Sequence, residues 1–127
     1  MANLVILSGP IVSPPFFDFV GERKKPYMRI YVSVPSDNES GPRECHVRCV
    51  AYGQLAQETY PFLREGSVVA VEGHIQVRLL GKPAEGKPRW VTEVVAHRIT
   101  FIDNVDYETG NRVLEQLEQL RAERDGG

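Results

Sequence analysis

The chain has 127 residues and a mass of 14.3 kDa, enough for one domain with a small appendage. Apolar residues make up 42% and charged residues 25% with mixed signs, so a packed core is expected and disorder along the whole chain is excluded. The net charge of -2 is unevenly spread: residues 1–103 carry 12 Lys/Arg against 11 Asp/Glu, and residues 104–127 carry 3 against 6. A near-neutral body favours weak, salt-sensitive nucleic-acid binding over tight binding.

The predicted elements, in chain order, are five strands and two short helices separated by Gly- and Pro-rich turns. The strands are 4–12 with a bend at Gly9, 27–34, 44–52, 67–80 and 89–102. The helices are 55–60, between the third and fourth strands, and 112–124, which is amphipathic. Segments 35–43 and 81–88 are predicted to be hairpin loops.

Period-two alternation divides the strand residues between two faces. In the third strand, Cys45, Val47, Cys49 and Ala51 are expected to face the core, and the alternate residues, ending at Tyr52, to face outward. Cys45 and Cys49 would lie about 13 Å apart on one strand, too far for a disulfide. One intervening histidine is a weak metal signal, so the cysteines are predicted to be small hydrophobic residues and no metal is expected.

The order of elements fits an all-β fold, a five-stranded Greek-key OB barrel with a helix between strands 3 and 4. Periodicity alone supports only a small barrel or sandwich. Residues 1–103 are predicted to form this domain, and residues 104–127 an acidic extension with the amphipathic helix. The apolar runs are too short to span a bilayer, and the first residues resemble no leader peptide, so we expect a cytoplasmic location and no membrane partner.

Three blocks of sequence resemble the bacterial single-stranded DNA-binding protein family. The opening 3–9 (NLVILSG) is similar to the family's first strand, 50–56 with 63–67 (VAYGQLA, LREGS) to its strand-helix-strand block, and 71–75 with 91–96 (VEGHI, VTEVVA) to its last hairpin. Their spacing is kept over about residues 3–103. The resemblance implies an OB fold, assembly into a dimer or tetramer, nucleoid association and sequence-tolerant binding of single-stranded DNA.

The family commonly recruits replication proteins through an acidic tip that closes with Pro-Phe. This sequence finishes Arg124-Asp125-Gly126-Gly127 after the predicted helix, so recruitment through that peptide is not expected.

Binding of single strands requires aromatic rings that stack on bases and cations that follow the phosphates. The resemblance places the family's stacking aromatic on Tyr52, puts His46 where a second aromatic is frequent, and aligns Arg48 and Arg78 with outer-face basic positions. The full set of candidate nucleic-acid-binding residues is Tyr52, His46, Arg48, Arg78, Arg29, Tyr31, Tyr27, Trp90, Lys82 and Lys87.

Several of these residues have a structural alternative. Tyr52 could be a rim tyrosine, Tyr27 and Tyr31 could lie in a subunit interface, and Trp90 could pack in an oligomer. The segment 16–20 (FFDFV) either packs on the barrel or contacts a partner, and the basic run 23–25 is either a solvated loop or a phosphate contact.

Three classes of function remain. The first is single-stranded DNA binding in replication, repair or recombination. The second is a primosome-like OB paralogue that acts mainly through protein contacts with weak nucleic-acid affinity. The third, an enzyme, is disfavoured because the sequence has no Gly-rich phosphate loop, paired ligand motif or nucleophile elbow; no catalytic residue and no cofactor is predicted.

Overall fold

The computed structural model describes residues 1–38, 40–81, 86 and 88–126. It is mostly β-sheet with two α-helices. The strands are β1 (Val5–Pro10), β2 (Phe16–Val20), β3 (Lys25–Asn38), β4 (Gly41–Tyr52), β5 (Val68–Leu79) and β6 (Trp90–Asp103). The helices are α1 (Gly53–Thr59), followed by a 3-10 turn (Tyr60–Phe62), and α2 (Tyr107–Gly126).

The six strands form one sheet in the order β1-β5-β6-β4-β3-β2. All neighbouring strands are antiparallel except β4 and β6, which pair in parallel at Cys49↔Val94 and Val50↔Val95. Just after β1, Ile11 forms a bridge to Val32 of β3, and the Val12 amide donates to the Tyr31 carbonyl at 3.0 Å. Ile11 and Val12, which follow β1 at one edge of the sheet, therefore contact β3 near the opposite edge.

The sheet has one strand more than the five predicted. The additional strand, β2, is the aromatic segment that the sequence assigned to no element, and it pairs with the start of β3 from Phe16↔Arg29 to Val20↔Lys25. Aromatic residues fit a half-buried pleated surface well, which is why this segment forms an edge strand. Phe17 packs against the core, with its ring stacked on Tyr60 at 4.9 Å.

The predicted loop 35–43 is mostly strand, so that prediction was wrong in extent. β3 continues to Asn38 and β4 begins at Gly41, with pairs from Pro35↔Glu44 to Asn38↔Gly41. Polar composition indicated a loop, but backbone pairing in a long hairpin does not require apolar side chains. The second predicted loop, 81–88, lies largely outside the described residues.

The core lies on one face of the sheet and is closed by α1. Its members are Ile11, Met28, Ile30, Val32, Cys49, Ala51, Ala56, Leu63, Val69, Val71, Val94 and Ala96. The inward assignment of Cys49 and Ala51 is confirmed, and burial raises the pKa of the Cys49 thiol to about 12. The assignment of Cys45 to the core was wrong: it is exposed, because the β3–β4 hairpin extends beyond the core. Both cysteines are free thiols.

Two glycines allow strands to approach more closely than any side chain would permit. A Cβ atom on Gly9 would overlap the Ser33 carbonyl oxygen, and one on Gly73 would overlap the Val95 carbonyl oxygen. Gly73 lies at a register shift between β5 and β6. The bends predicted at these two glycines therefore correspond to points of backbone contact.

α2 begins five residues earlier than the predicted helix. Asp106 caps it, because its carboxylate accepts from the Thr109 amide at 3.0 Å, a bond that also lowers the pKa of Asp106. The first turns pack against the Phe62 cluster, defined here as the rings of Phe62, Phe101 and Tyr107. Within the described chain, neither helix has the length and apolarity needed to cross a bilayer.

Candidate nucleic-acid interface

The register of β3 and β4 brings the predicted outward residues together on one face. Tyr27 pairs with Tyr52, Tyr31 with Arg48, and Ser33 with His46. The parallel pairing of β4 with β6 and the pairing of Gln76 with Glu93 extend this face to β5. Five of the candidates, Tyr27, Arg29, Tyr31, Arg48 and Tyr52, thus share one surface with Arg78.

A buried carboxylate organises this face. Glu93 of β6 is 1% exposed. One of its oxygens, Oε1, accepts from Arg78 Nε at 2.5 Å and from Gln76 Nε2 at 2.8 Å, and the other, Oε2, accepts from Arg48 Nε at 2.8 Å. We call these four residues the Glu93 cluster. It carries one negative and two positive charges, and this net positive charge attracts a further anion to its exposed edge.

The directions in which the pKa values of Glu93, Arg78 and Arg48 are shifted agree with this geometry. Burial alone would raise the pKa of Glu93, but the hydrogen bonds from Arg78, Gln76 and Arg48 outweigh it and lower that pKa. The hydrogen bond to Glu93 raises the pKa of Arg78. Burial opposes charge on Arg48, yet its bonds to Glu93 and Tyr31 leave its pKa raised. All three groups are therefore ionised at neutral pH.

The two arginines of the cluster have different surroundings. The Arg48 side chain is 14% exposed, and its η nitrogens lie 3.3 Å from the Tyr31 hydroxyl and 3.5 Å from the Tyr27 hydroxyl. The Arg78 side chain is 36% exposed, and within the described part of the chain only its Nε has a protein hydrogen-bond acceptor. Arg48 therefore braces the tyrosines, whereas the η groups of Arg78 are available to a ligand.

Tyr52 is the accessible aromatic ring beside these arginines. The Tyr52 side chain is half-buried, and its ring centroid lies 5.3 Å from the ring centroid of Tyr27. Lys25 Nζ lies 5.5 Å from the Tyr52 ring centroid. Burial raises the pKa of the Tyr52 hydroxyl, so the ring is neutral. Tyr27 itself is only 6% exposed and supports Tyr52 from behind.

β2 covers one side of the same face. Phe16 is 42% exposed, and the Arg29 guanidinium carbon lies 4.5 Å from the centre of its ring. Phe16 also meets Tyr27 edge-on at 6.3 Å. The aromatic segment that the sequence left unexplained thus holds a second candidate, Arg29, at the border of the site.

These side chains surround a recess of about 260 Å³. Its lining is Val20, Tyr27, Arg29, Arg48, Tyr52, Arg78 and Leu80. It joins an aromatic surface, two apolar side chains and three guanidinium groups, which is the chemistry that a nucleotide requires.

Two of the described candidates, His46 and Trp90, do not line this recess. His46 is exposed on the distal part of β4, with Nε2 4.0 Å from a Glu44 carboxylate oxygen. Trp90 is 62% exposed at the start of β6, where it pairs with Leu79. Lys82 and Lys87 lie outside the described residues.

Glu93 was not among the residues selected from the sequence. The available signal was a lone carboxylate in the segment 91–96, whose other residues are valine, threonine and alanine. Such a residue is expected to face solvent, because acidic residues are almost never fully buried unless they are paired. Its partners are 15 and 45 residues away in the chain, so no local pattern indicates their pairing.

Comparisons with known proteins identify the family that this chain resembles. The sequence profile described as the Single-strand binding protein family matches residues 2–102. The chain is 30% identical over 112 residues to the Single-stranded DNA-binding protein of Oceanobacillus iheyensis, covering 87% of this chain and 69% of that protein. It is 29% identical over 105 residues to the Single-stranded DNA-binding protein A of Bacillus subtilis, covering 81% of this chain and 60% of that one.

A solved structure shares the fold. The Plasmodium falciparum SSB, determined as a complex with ssDNA, superposes with a TM-score of 0.69 at 18% sequence identity. The match covers 81% of this chain and 96% of that one. The six-stranded sheet described above is therefore a variant of the same OB-type architecture.

Proposed function

Because the chain belongs to the single-strand binding protein family, we propose that it binds single-stranded DNA, largely independently of sequence, in replication, recombination or repair. The observation that carries the proposal is the recess in which the Tyr52 ring lies beside Arg78. Stacking on Tyr52 would hold a base through its π face, which every base possesses, and cations around it would hold the backbone. No step of this activity is a chemical reaction, so the protein is proposed to be a binding protein and not an enzyme.

The candidate residues take different roles in this proposal. Tyr52 stacks, while Arg78 and Arg29 supply positive charge at the mouth of the recess. Arg48, Tyr27 and Tyr31 act mainly by holding these groups in place, since Arg48 is bonded to Glu93 and to both tyrosine hydroxyls. His46, Trp90, Lys82 and Lys87 are proposed to extend the track along the two long hairpins.

The closure of the sheet into a barrel and the boundary between the domain and its extension are part of the same proposal. We assign residues 1–103 to a Greek-key OB barrel that is completed where Ile11 and Val12 meet β3, with β2 added at its edge. Residues 104–127 form an extension with α2. A cytoplasmic, nucleoid-associated location follows from the proposed ligand.

We further propose assembly into a dimer or tetramer. Exposed apolar side chains lie at the start of the β1 edge and on the part of β5 beyond its pairing with β1. They are Leu4, just before β1, and Ile6 within it, together with Ile75, Val77 and Leu79 of β5. A sheet edge of this composition favours association with another chain. A monomer mass in light scattering at micromolar concentration would contradict this. Replication proteins are proposed as further partners.

A second function is supported by one observation. Glu93 cancels one of the three arginine charges around the recess and Tyr27 is nearly buried, so fewer free contacts face the nucleic acid than the sequence predicted. A primosome-like paralogue that acts mainly through protein contacts would have such a reduced surface. Affinity for single strands at near-physiological salt separates the two functions.

The test is a titration of intrinsic tyrosine and tryptophan fluorescence with oligo-dT at several salt concentrations. Binding should weaken with salt, with a log–log slope of about -0.7 for each phosphate neutralised. Tyr52→Ala should weaken binding by about 1–3 kcal/mol, and Tyr52→Phe should retain most of the affinity because stacking needs only the ring. Tyr107→Ala, which removes an exposed tyrosine from α2, is the matched control. Unchanged affinity in folded Tyr52→Ala would defeat the stacking assignment.

A further inference from the structure

The charged groups that line the recess beneath Tyr52 are all guanidinium groups, and its other polar side chains are those of Tyr27 and Tyr52. Its guanidinium groups donate hydrogen bonds and cannot accept them. The one carboxylate nearby, Glu93, has a fully buried side chain whose two oxygens already accept from three donors. A ligand that enters the recess therefore meets fixed donors and no free carboxylate acceptor.

Arg78 is the donor placed to read such a ligand. Its Nε is held by Glu93, which fixes the plane of the guanidinium group and leaves the two η nitrogens to act together. Arg48, in contrast, is 14% exposed and its η nitrogens already lie beside two tyrosine hydroxyls. A paired set of donors on a rigid plane matches two adjacent acceptors on a planar ligand.

The size and walls of the recess suit one nucleobase. Its volume of about 260 Å³ lies just below the range of about 300–1,000 Å³ for sites that hold drug-sized ligands. Tyr52 offers a stacking surface, and Val20 and Leu80 offer apolar walls. On the edge that a duplex turns to its major groove, guanine alone among the four DNA bases presents two neighbouring acceptors, O6 and N7. Adenine and cytosine present an amino donor on that edge, which would oppose the donors of Arg78. A single strand also exposes the N3 and O2 acceptors on the opposite edge of cytosine, so dC is the competitor closest to dG in this chemistry.

We propose that this recess is a guanine-preferring subsite, in which a base stacked on Tyr52 accepts two hydrogen bonds at O6 and N7 from the Arg78 η nitrogens. The proposal rests on single-stranded DNA binding as proposed above and adds one selective position to a track that is otherwise tolerant of sequence. Glu93 is the positioning residue of the subsite, since it holds the Arg78 plane and provides no competing acceptor.

The experiment is a competition assay with the full chain and a fluorescein-labelled dT oligomer. The competitors are dT oligomers of equal length that carry one central dG, dA, dC, inosine, 7-deazaguanine or abasic site. One dG should improve competition by about five-fold over one dA, the lower end expected for a bidentate arginine–guanine pair. Inosine keeps O6 and N7 and should match guanine; 7-deazaguanine lacks N7 and should lose most of the advantage.

Variants connect the preference to the named residues. Arg78→Lys keeps the charge but removes the paired donors, so the dG to dA ratio should approach one. Arg98→Lys makes the same chemical change at an exposed arginine that lies on β6 beside Glu72, and its ratio should stay that of the unmodified protein. Glu93→Gln should lower the ratio because the plane of the Arg78 guanidinium group is no longer held by a hydrogen bond to a charged carboxylate.

Each result that would contradict the guanine subsite identifies a different failure. Equal competition by dG and dA, equal competition by dG and dC, or a preference that persists in Arg78→Lys overturns the guanine subsite while leaving single-strand binding intact. If the abasic oligomer competes as well as dG, the recess takes a phosphate and not a base, which also overturns the proposal. If no oligomer competes and oligo-dT itself does not bind, the proposed function fails together with the subsite.

Discussion

The Glu93 cluster and the Phe62 cluster lie in different parts of the molecule and are stabilised by opposite physics. In the first, one buried carboxylate is matched to three donors at 2.5–2.8 Å. In the second, rings pack at 5.2 and 6.1 Å around Phe62 without any hydrogen bond between them. Hydrogen bonds between charged groups are directional, and packing between rings is far less so.

This difference has a consequence for function. A directional network fixes where its outer atoms point, so the Glu93 cluster sets both the stability of the sheet and the chemistry of the recess above it. The Phe62 cluster only holds α2 against the body of the fold, close enough that Gly110 has no room for a Cβ atom beside the Phe62 ring. We therefore expect perturbations of the two clusters to separate stability from binding.

The largest expected effect is on stability alone, from Phe62→Ala. Phe62 is 6% exposed, and truncation of a buried phenylalanine costs about 3–5 kcal/mol. The free energy of unfolding in urea should fall by that amount, with oligo-dT affinity unchanged once corrected for the folded fraction. Phe62→Leu should recover much of the loss. A drop in the affinity of folded Phe62→Ala would show that the two clusters are coupled.

Glu93→Ala should lower the free energy of unfolding by about 3 kcal/mol, because two guanidinium groups lose their buried partner. We place the loss at the low end because Arg78 is 36% exposed and water screens it. The salt dependence of oligo-dT binding should also steepen, since both arginines then act as free cations.

The matched control for Glu93→Ala is Glu72→Ala on β5. Glu72 is exposed and lies 3.7 Å from Arg98, so its removal should cost less than about 1 kcal/mol. If the two alanine variants lost equal stability, burial of the Glu93 carboxylate would not be the source of its effect.

A smaller effect is the acid sensitivity of the same cluster. The pKa of Glu93 is lowered from its ordinary 4.5, so its ion pairs add stability above that value, and this stability is lost as pH falls through the lower folded pKa. The arginines stay protonated throughout. The difference in unfolding free energy between the protein and Glu93→Gln should be constant near neutral pH and narrow in acid. A difference that does not change down to strongly acidic pH would contradict this ionisation.

The smallest effect concerns the start of α2. Asp106→Ala removes the acceptor of the Thr109 amide and should lower the temperature of thermal unfolding slightly. Asp106→Asn also provides a capping oxygen and should retain most of that stability. Thermal unfolding followed by circular dichroism measures both variants, and oligo-dT affinity should be unaffected. Equal losses in the alanine and asparagine variants would show that the charge, and not the cap, matters.

Local pattern was sufficient for most of the elements. The period-two alternation along 44–52 predicted that Cys49 and Ala51 face the core, and the predicted helix 55–60 overlaps α1. The predictions of secondary structure failed in segments whose amino-acid composition is unusual for the structure that they form. β2 has no polar alternation to mark it as an edge strand, and the polar ends of β3 and β4 are paired strand residues despite their loop-like composition.

Strand alternation was enough to predict which residues share a face, because side chains alternate along a strand whatever surrounds it. From that pattern alone, Tyr27, Tyr31, Arg48 and Tyr52 were expected on one surface, and the register of β3 with β4 agrees. The contacts that each of them makes there depend on how distant strands come together. The β4–β6 and β5–β6 pairings bring Glu93 under Arg48 and Arg78 from remote parts of the chain, and a charge can remain buried only when such partners arrive together.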